Sequence, residues 1–212
     1  SPDGRQIVLE VEGASHDIFV YDIARGVLTK MSFDGASHWP MFTPDGRDLT
    51  FRSWKTGGMT MWAMPADRSR SASLLTDIGT MQSPESWSPD GRVLAFTQMD
   101  KPESGSDVYA LPTGGDRKPF PVVRTKFSEG SPKFSPDGRW LAYASDESGR
   151  SEVYAIAYPG PGPKIQLSTS GGTDPVWRRD GKELFYRNSR QMLAVDIRLG
   201  RTLQVSKPVA LW

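Results

Sequence analysis

Apolar residues in this chain come in short runs of three or four, each bounded by polar and turn-forming residues. One set reads Ile7-Val8-Leu9, Leu49-Thr50-Phe51, Leu94-Ala95-Phe96, Leu141-Ala142-Tyr143 and Leu184-Phe185-Tyr186. A second set lies beyond a polar loop in each case. It reads Asp17-Ile18-Phe19-Val20, Thr60-Met61-Trp62-Ala63, Asp107-Val108-Tyr109-Ala110, Glu152-Val153-Tyr154-Ala155 and Gln191-Met192-Leu193-Ala194. A weaker run follows near Leu28-Thr29, Leu75-Thr76, Val122-Val123, Leu167-Ser168 and Leu203-Gln204-Val205. The brevity of these runs, each cut off by turn-forming residues, predicts short β-strands and no helix.

What separates these runs is itself repeated. A Pro-Asp-Gly-Arg turn closes residues 1–5, 43–47, 88–92 and 135–139, and a degenerate copy occupies residues 178–182. Its aspartates, Asp3, Asp45, Asp90, Asp137 and Asp180, are spaced by 42, 45, 47 and 43 residues. Proline presets φ for the turn, aspartate bonds its own downstream backbone, and glycine takes the angle other residues avoid. Three residues before the aspartate stands an aromatic, Phe42, Trp87, Phe134 or Trp177, and Pro40, Pro84, Pro132 or Pro175 precedes it. A period of about 40–50 residues is the length of a four-stranded propeller blade. Such a blade cannot bury both faces alone, and stacking blades around an axis buries them. The prediction is one all-β domain over residues 1–212, a β-propeller of five four-stranded blades.

Closure of the ring is the open point. The first repeat lacks a strand before Ser1, and the segment Pro208-Val209-Ala210-Leu211-Trp212 resembles the missing one. Joining Trp212 to Ser1 gives Leu-Trp-Ser-Pro-Asp-Gly-Arg, close to residues 86–92. The expectation is therefore a ring closed by mixed terminal strands. The alternative makes residues 208–212 the outer strand of the fifth blade, within a propeller of six to eight blades.

Composition narrows the function classes. Twenty-one glycines and 17 prolines suit a turn-rich chain, and 26 basic against 25 acidic residues leave a charge of +1. That balance argues against nucleic acid, whose phosphates call for a basic excess. There is no cysteine, hence no disulfide, thiolate nucleophile or Cys-bound metal. No apolar run approaches a membrane span. The opening Ser1-Pro2-Asp3-Gly4-Arg5 reads as the middle of a repeat, as expected of a piece of a longer protein.

The repeated Ser-Pro-Asp-Gly-Arg, its preceding Trp or Phe and the following Asp/Glu-Val-Tyr-Ala strand resemble the TolB-like, WD40-like propeller repeat known as PD40. The likeness covers the whole chain and is strongest over residues 135–158 and 171–186. In style it is similar to the propellers at the C-terminus of bacterial serine/threonine kinases and regulators. The resemblance implies a sensor or scaffold module that binds a protein or peptide, periplasmic or otherwise extracytoplasmic. The same repeat also gates prolyl-oligopeptidase-like serine peptidases and occurs in polysaccharide lyases, so a gating propeller whose catalytic domain lies outside this chain is the alternative.

Candidate chemistry is sparse. The two histidines, His16 and His38, each follow a serine, but adjacent side chains on extended backbone point apart, and no G-x-S-x-G elbow is present. The turn aspartates are expected to stabilise their own turns. Asp146-Glu147 reads as a solvated hairpin, since no D-x-D-x-D-G loop is present. Gly160-Pro161-Gly162-Pro163 and Gly171-Gly172 are turn material. Met59, Met61, Trp62 and Met64 read as blade-to-blade core. His38, Trp39 and Trp54 are the candidate binding surface, with His38 just ahead of an inner strand and Trp54 beside Lys55 in a polar hairpin. The expectation is a monomer that is not an enzyme, with no catalytic residue, cofactor or metal, no nucleic acid partner and no direct membrane insertion.

Overall fold

The Pro-Asp-Gly turns fold as their chemistry dictates. At the second, Asp45 Oδ1 accepts the Thr43 hydroxyl at 2.7 Å and the Arg47 amide at 3.1 Å, while Gly46 takes φ 72°. Ser88 with Asp90 and Ser135 with Asp137 repeat the arrangement, each hydroxyl–carboxylate bond being 2.6 Å. Successive turns also touch. A Cβ added at Gly46 would lie 3.4 Å from Pro2 Cδ, and one at Gly138 would lie 3.4 Å from Pro89 Cδ. Such contacts a side chain would tolerate; it is the positive φ of 72° and 70° that calls for glycine.

The computed structural model describes residues 1–76, 78–101, 105–160, 162–200 and 202–211. Among these residues there is no helix, and the strands form five sheets in which sequence neighbours are spatial neighbours. The first sheet has three strands, β1 (Gln6–Glu12), β2 (His16–Asp22) and β3 (Val27–Lys30). The second runs β4 (Ser37–Phe42), β5 (Asp48–Ser53), β6 (Thr60–Pro65) and β7 (Ser73–Thr76). The third runs β8 (Met81–Trp87), β9 (Val93–Lys101), β10 (Gly105–Pro112) and β11 (Phe120–Val123). The fourth runs β12 (Glu129–Phe134), β13 (Trp140–Ser145), β14 (Glu152–Ala157) and β15 (Lys164–Gln166). The fifth runs β16 (Thr173–Trp177), β17 (Glu183–Arg187), β18 (Met192–Arg198) and β19 (Gln204–Val205), with β20 (Val209–Ala210) also on β18. The chain divides into two compact units, Ser1–Pro84 and Glu85–Trp212, with the boundary inside β8.

The core shows why the strands are apolar on both faces. On β13, Leu141 and Tyr143 pack with Ala95, Val108 and Tyr154, whereas Trp140 and Ala142 pack with Leu184, Tyr186 and Val195 of the fifth sheet. Alternate side chains point to opposite faces, so the fourth sheet is buried against a neighbour on each side. In the first unit, Ile18, Val20 and Met31 of the first sheet and its trailing loop pack on Leu49, Phe51, Trp62 and Met64 of the second.

The C-terminal segment is where the structure departs from the expected closure. Val209 and Ala210 pair antiparallel with Ala194 and Leu193 on β18, and the Leu211 amide donates to Met192 carbonyl at 2.9 Å. The first sheet keeps three strands. The reason is local: β19 reaches only Ile197 and Arg198, leaving the other end of the β18 edge with backbone groups to satisfy. Ser206 ties the crossing, accepting the Asp196 amide on its hydroxyl at 2.9 Å and donating its own amide to Asp196 carbonyl at 3.1 Å. Residues 208–211 therefore belong to the outer edge of the fifth sheet; Trp212 lies outside the described residues.

A second recurring device is a buried carboxylate that clamps the turn after the outer strand. Asp17 Oδ1 accepts the Ser32 hydroxyl at 3.0 Å and the Gly35 amide at 3.2 Å. Glu152 does the same in the fourth sheet, taking the Ser168 hydroxyl and, at 3.0 Å, the Gly171 amide. Lys30 at 2.7 Å from Asp17 and Arg150 at 2.7 Å from Glu152 supply the compensating charge.

Candidate ligand-binding face around Glu10, His38 and Trp39

The Asp17 clamp has a consequence at the neighbouring residue. It holds Gly35 so close that a Cβ there would meet Ser15 Cβ at 3.0 Å, and the Gly35 carbonyl accepts the His16 amide at 3.0 Å. His16 and Ala36 form an isolated parallel bridge, and β4 starts one residue later. The two histidines, 22 positions apart in sequence, are thereby brought to a ring-centroid separation of 4.4 Å.

Both rings turn the same atom toward Glu10 on β1. His16 Nδ1 and His38 Nδ1 each lie 2.8 Å from Glu10 Oε1, and the Trp39 amide donates to Glu10 Oε2 at 3.2 Å. A carboxylate can only accept, so each imidazole presents Nδ1–H here. Burial pushes the Glu10 pKa up, but the bonds from His16, the Trp39 amide and His38 outweigh it, and the net shift is downward. Neither neighbouring serine engages a histidine. Ser15 donates to Asp17 Oδ2 at 3.1 Å and Ser37 to Asp34 Oδ1 at 2.8 Å.

Trp39 stands out beside this cluster. It sits at φ 51° immediately before Pro40, where β4 bulges between His38 and Met41. Ser131 before Pro132 (φ 53°) and Asp174 before Pro175 (φ 51°) occupy the same bulge in β12 and β16. The left-handed conformation is costly for such residues, and proline disfavours the helical region at the position before it. The bulge thus belongs to the repeat, and what distinguishes β4 is that it carries an indole where the others carry small polar side chains. Trp39 is 48% exposed, with the Arg52 guanidinium 3.5 Å from its ring centroid. Arg52 is itself anchored, donating to Ser83 Oγ at 2.7 Å.

Trp54, the third expected residue, follows β5 and its amide donates to Ala36 carbonyl at 3.3 Å. It is 45% exposed and lines an open groove of about 460 Å³ with Thr56, Gly58, Met59, Thr80 and Met81. Met59, Met61, Trp62 and Met64 are buried, as the sequence implied. His38, Trp39 and Trp54 all fall in the first unit. Glu10 was not foreseen, because an isolated glutamate on a strand carries no motif; two histidines each following Gly-Ala-Ser were the only signal available.

The family described as TolB beta propeller domain (PD40) matches residues 80–194, more than half of the chain. The chain belongs to this family. An uncharacterized protein of Agrobacterium fabrum is 32% identical over 114 residues, covering 53% of this chain and 37% of its own length. Among solved structures, TolB from Acinetobacter baumannii superposes with TM-score 0.77 at 18% identity, covering 99% of this chain and 54% of that one. A TolB from Agrobacterium tumefaciens, itself assigned as putative, gives 0.78 at 16% identity, with 99% and 79% covered. At these identities the likeness is one of fold. The present TolB-type chain spans about half the Acinetobacter protein and little over a third of the A. fabrum one.

Proposed function

We propose that this TolB-type chain is a non-catalytic binding module, a scaffold or sensor that takes a protein or peptide segment on the face carrying Trp39 and Trp54. The observation that carries the reading is Trp39: a half-exposed indole, fixed by its backbone and backed by a guanidinium. Large aromatic side chains held rigidly in water lose little entropy on binding and are the usual anchors of interfaces. The serine hydroxyls beside the histidines are engaged by carboxylates, which supports a role without nucleophilic catalysis. On this reading the module works as a monomer, outside the cytoplasm as its family resemblance implies, without nucleic acid and without inserting into the membrane; no described helix is long and apolar enough to cross one.

The test is selection of binding peptides from a display library, followed by fluorescence anisotropy on the parent and Trp39→Ala chains. An anchor worth about 2 kcal/mol weakens binding roughly 30-fold, with the melting temperature unchanged. Equal affinity of the two chains for every selected peptide would overturn the reading.

A further inference from the structure

The convergence of both histidines of the chain on one carboxylate oxygen has a use beyond docking a peptide. We infer that Glu10, His16 and His38 form a binding site for a zinc-class divalent transition ion, with Glu10 Oε1 and the two Nδ1 atoms as ligands. Three strands contribute, β1, β2 and β4, so the set exists only in the folded first unit. A Glu10 carboxylate oxygen and one ring nitrogen from each histidine lie within 4.8 Å of one another, and each Nδ1 is 2.8 Å from Glu10 Oε1.

The donor set suits the ion. Two neutral imidazoles and a carboxylate are the ligands zinc takes where it keeps a fourth position open. Zinc–ligand bonds of about 2.0–2.2 Å in a tetrahedral site put the ligand atoms roughly 3.3–3.6 Å apart. The observed 2.8 Å contacts then open by about 0.5–0.8 Å, within reach of small side-chain rotations, as each neutral imidazole turns Nδ1 to the ion and carries its proton on Nε2 instead.

Support around the ligands is also in place. The Trp39 amide holds Glu10 Oε2, which leaves Oε1 aimed between the rings. The Asp17 clamp fixes the backbone from residue 32 to 35 that sets the spacing of the two histidines. Such supporting bonds orient ligands and sharpen affinity. The three ligand side chains are part-exposed, His16 most of all at 33%, so the fourth position faces solvent and can take water or a donor from a partner.

The experiment is titration of the metal-free chain with Zn²⁺ by calorimetry and with Co²⁺ by visible absorption, on the parent, His16→Ala, His38→Ala and Glu10→Gln chains. Expected are one ion per chain and intense cobalt d–d bands of a low-coordinate site. Each histidine variant should weaken zinc more than the roughly 10–100-fold that loss of a supporting partner costs. Thermal melts without metal check that the variants fold. No heat and no cobalt bands overturns the inference, as does zinc binding that survives in the His16→Ala/His38→Ala double variant.

Discussion

Replacing Glu152 tests the clamp that recurs in the first and fourth sheets. Its side chain is 1% exposed and accepts the Ser168 hydroxyl, the Gly171 amide and the Arg150 guanidinium. Bonds to a charged acceptor contribute about 1.5–3 kcal/mol each. The Arg150 side chain is 60% exposed, so its share is discounted to at most about 1 kcal/mol. Glu152→Ala leaves the buried Ser168 hydroxyl and the part-buried Gly171 amide without this acceptor and should cost about 3 kcal/mol, and Glu152→Gln, which keeps one carbonyl oxygen, about half that. For a chain of this size 3 kcal/mol lowers Tm by about 6–12 °C. Burial pushes the Glu152 pKa up, but the Ser168, Gly171 and Arg150 contacts outweigh it and hold the carboxyl below its ordinary value. The folded state then binds fewer protons than the unfolded one, so the stabilisation is present above the ordinary value of 4.5 and is lost as pH falls through the lowered one. Urea unfolding of the parent and both variants between pH 3 and 8 reads all of this. An alanine variant within about 0.5 kcal/mol of the parent at pH 7, or a difference that grows on acidification, would refute the reasoning.

Two further predictions use the same logic. Glu129 is equally buried, its carboxylate accepts from Thr125, and Asp107 and Asp146 lie nearby, so burial prevails and its pKa is raised. The native state binds the extra proton, stability falls as pH rises through and above 4.5, and Glu129→Gln should flatten that fall in the same urea series. Among the turns, Asp137→Ala loses a hydroxyl bond, an amide bond and an exposed Arg139 pair that adds little, and should cost about 1–2 kcal/mol. Asp180 accepts the Lys182 amide and, in place of a hydroxyl bond, has only an exposed ion pair with Arg178, which stands where the other turns have Ser or Thr, so Asp180→Ala should shift the urea midpoint about half as far.

The turns and the order of strands were legible because each is encoded within a few residues. Ser135, Asp137 and Gly138 carry their own hydrogen bonds and angle, and Leu141-Ala142-Tyr143 announces a strand buried on both faces. The fate of residues 208–211 was not legible. Their resemblance to an inner strand is a matter of side-chain pattern, whereas their pairing was decided by free backbone groups on β18, which no side-chain pattern reports. The clamp was hidden for a different reason. Asp17 and Glu152 read as the polar starts of strands, and their partners lie in Ser-x-x-Gly turns 15 to 19 residues away: Ser32 and Gly35, Ser168 and Gly171. At the candidate face, Trp39 and Trp54 were anticipated as exposed aromatics and are exposed, but the meeting of His38 with His16 and Glu10 needed three strands in place.

The peptide-binding role is tested most directly by hydrogen exchange on the chain with and without a display-selected peptide at saturation. Backbone amides of β4 and of residues 54–60 should gain protection, together with the segment 79–81 across the groove from Trp54. Protection confined to the Pro-Asp-Gly turns at 135–139 and 178–182, or no protection anywhere in the first unit, would contradict it.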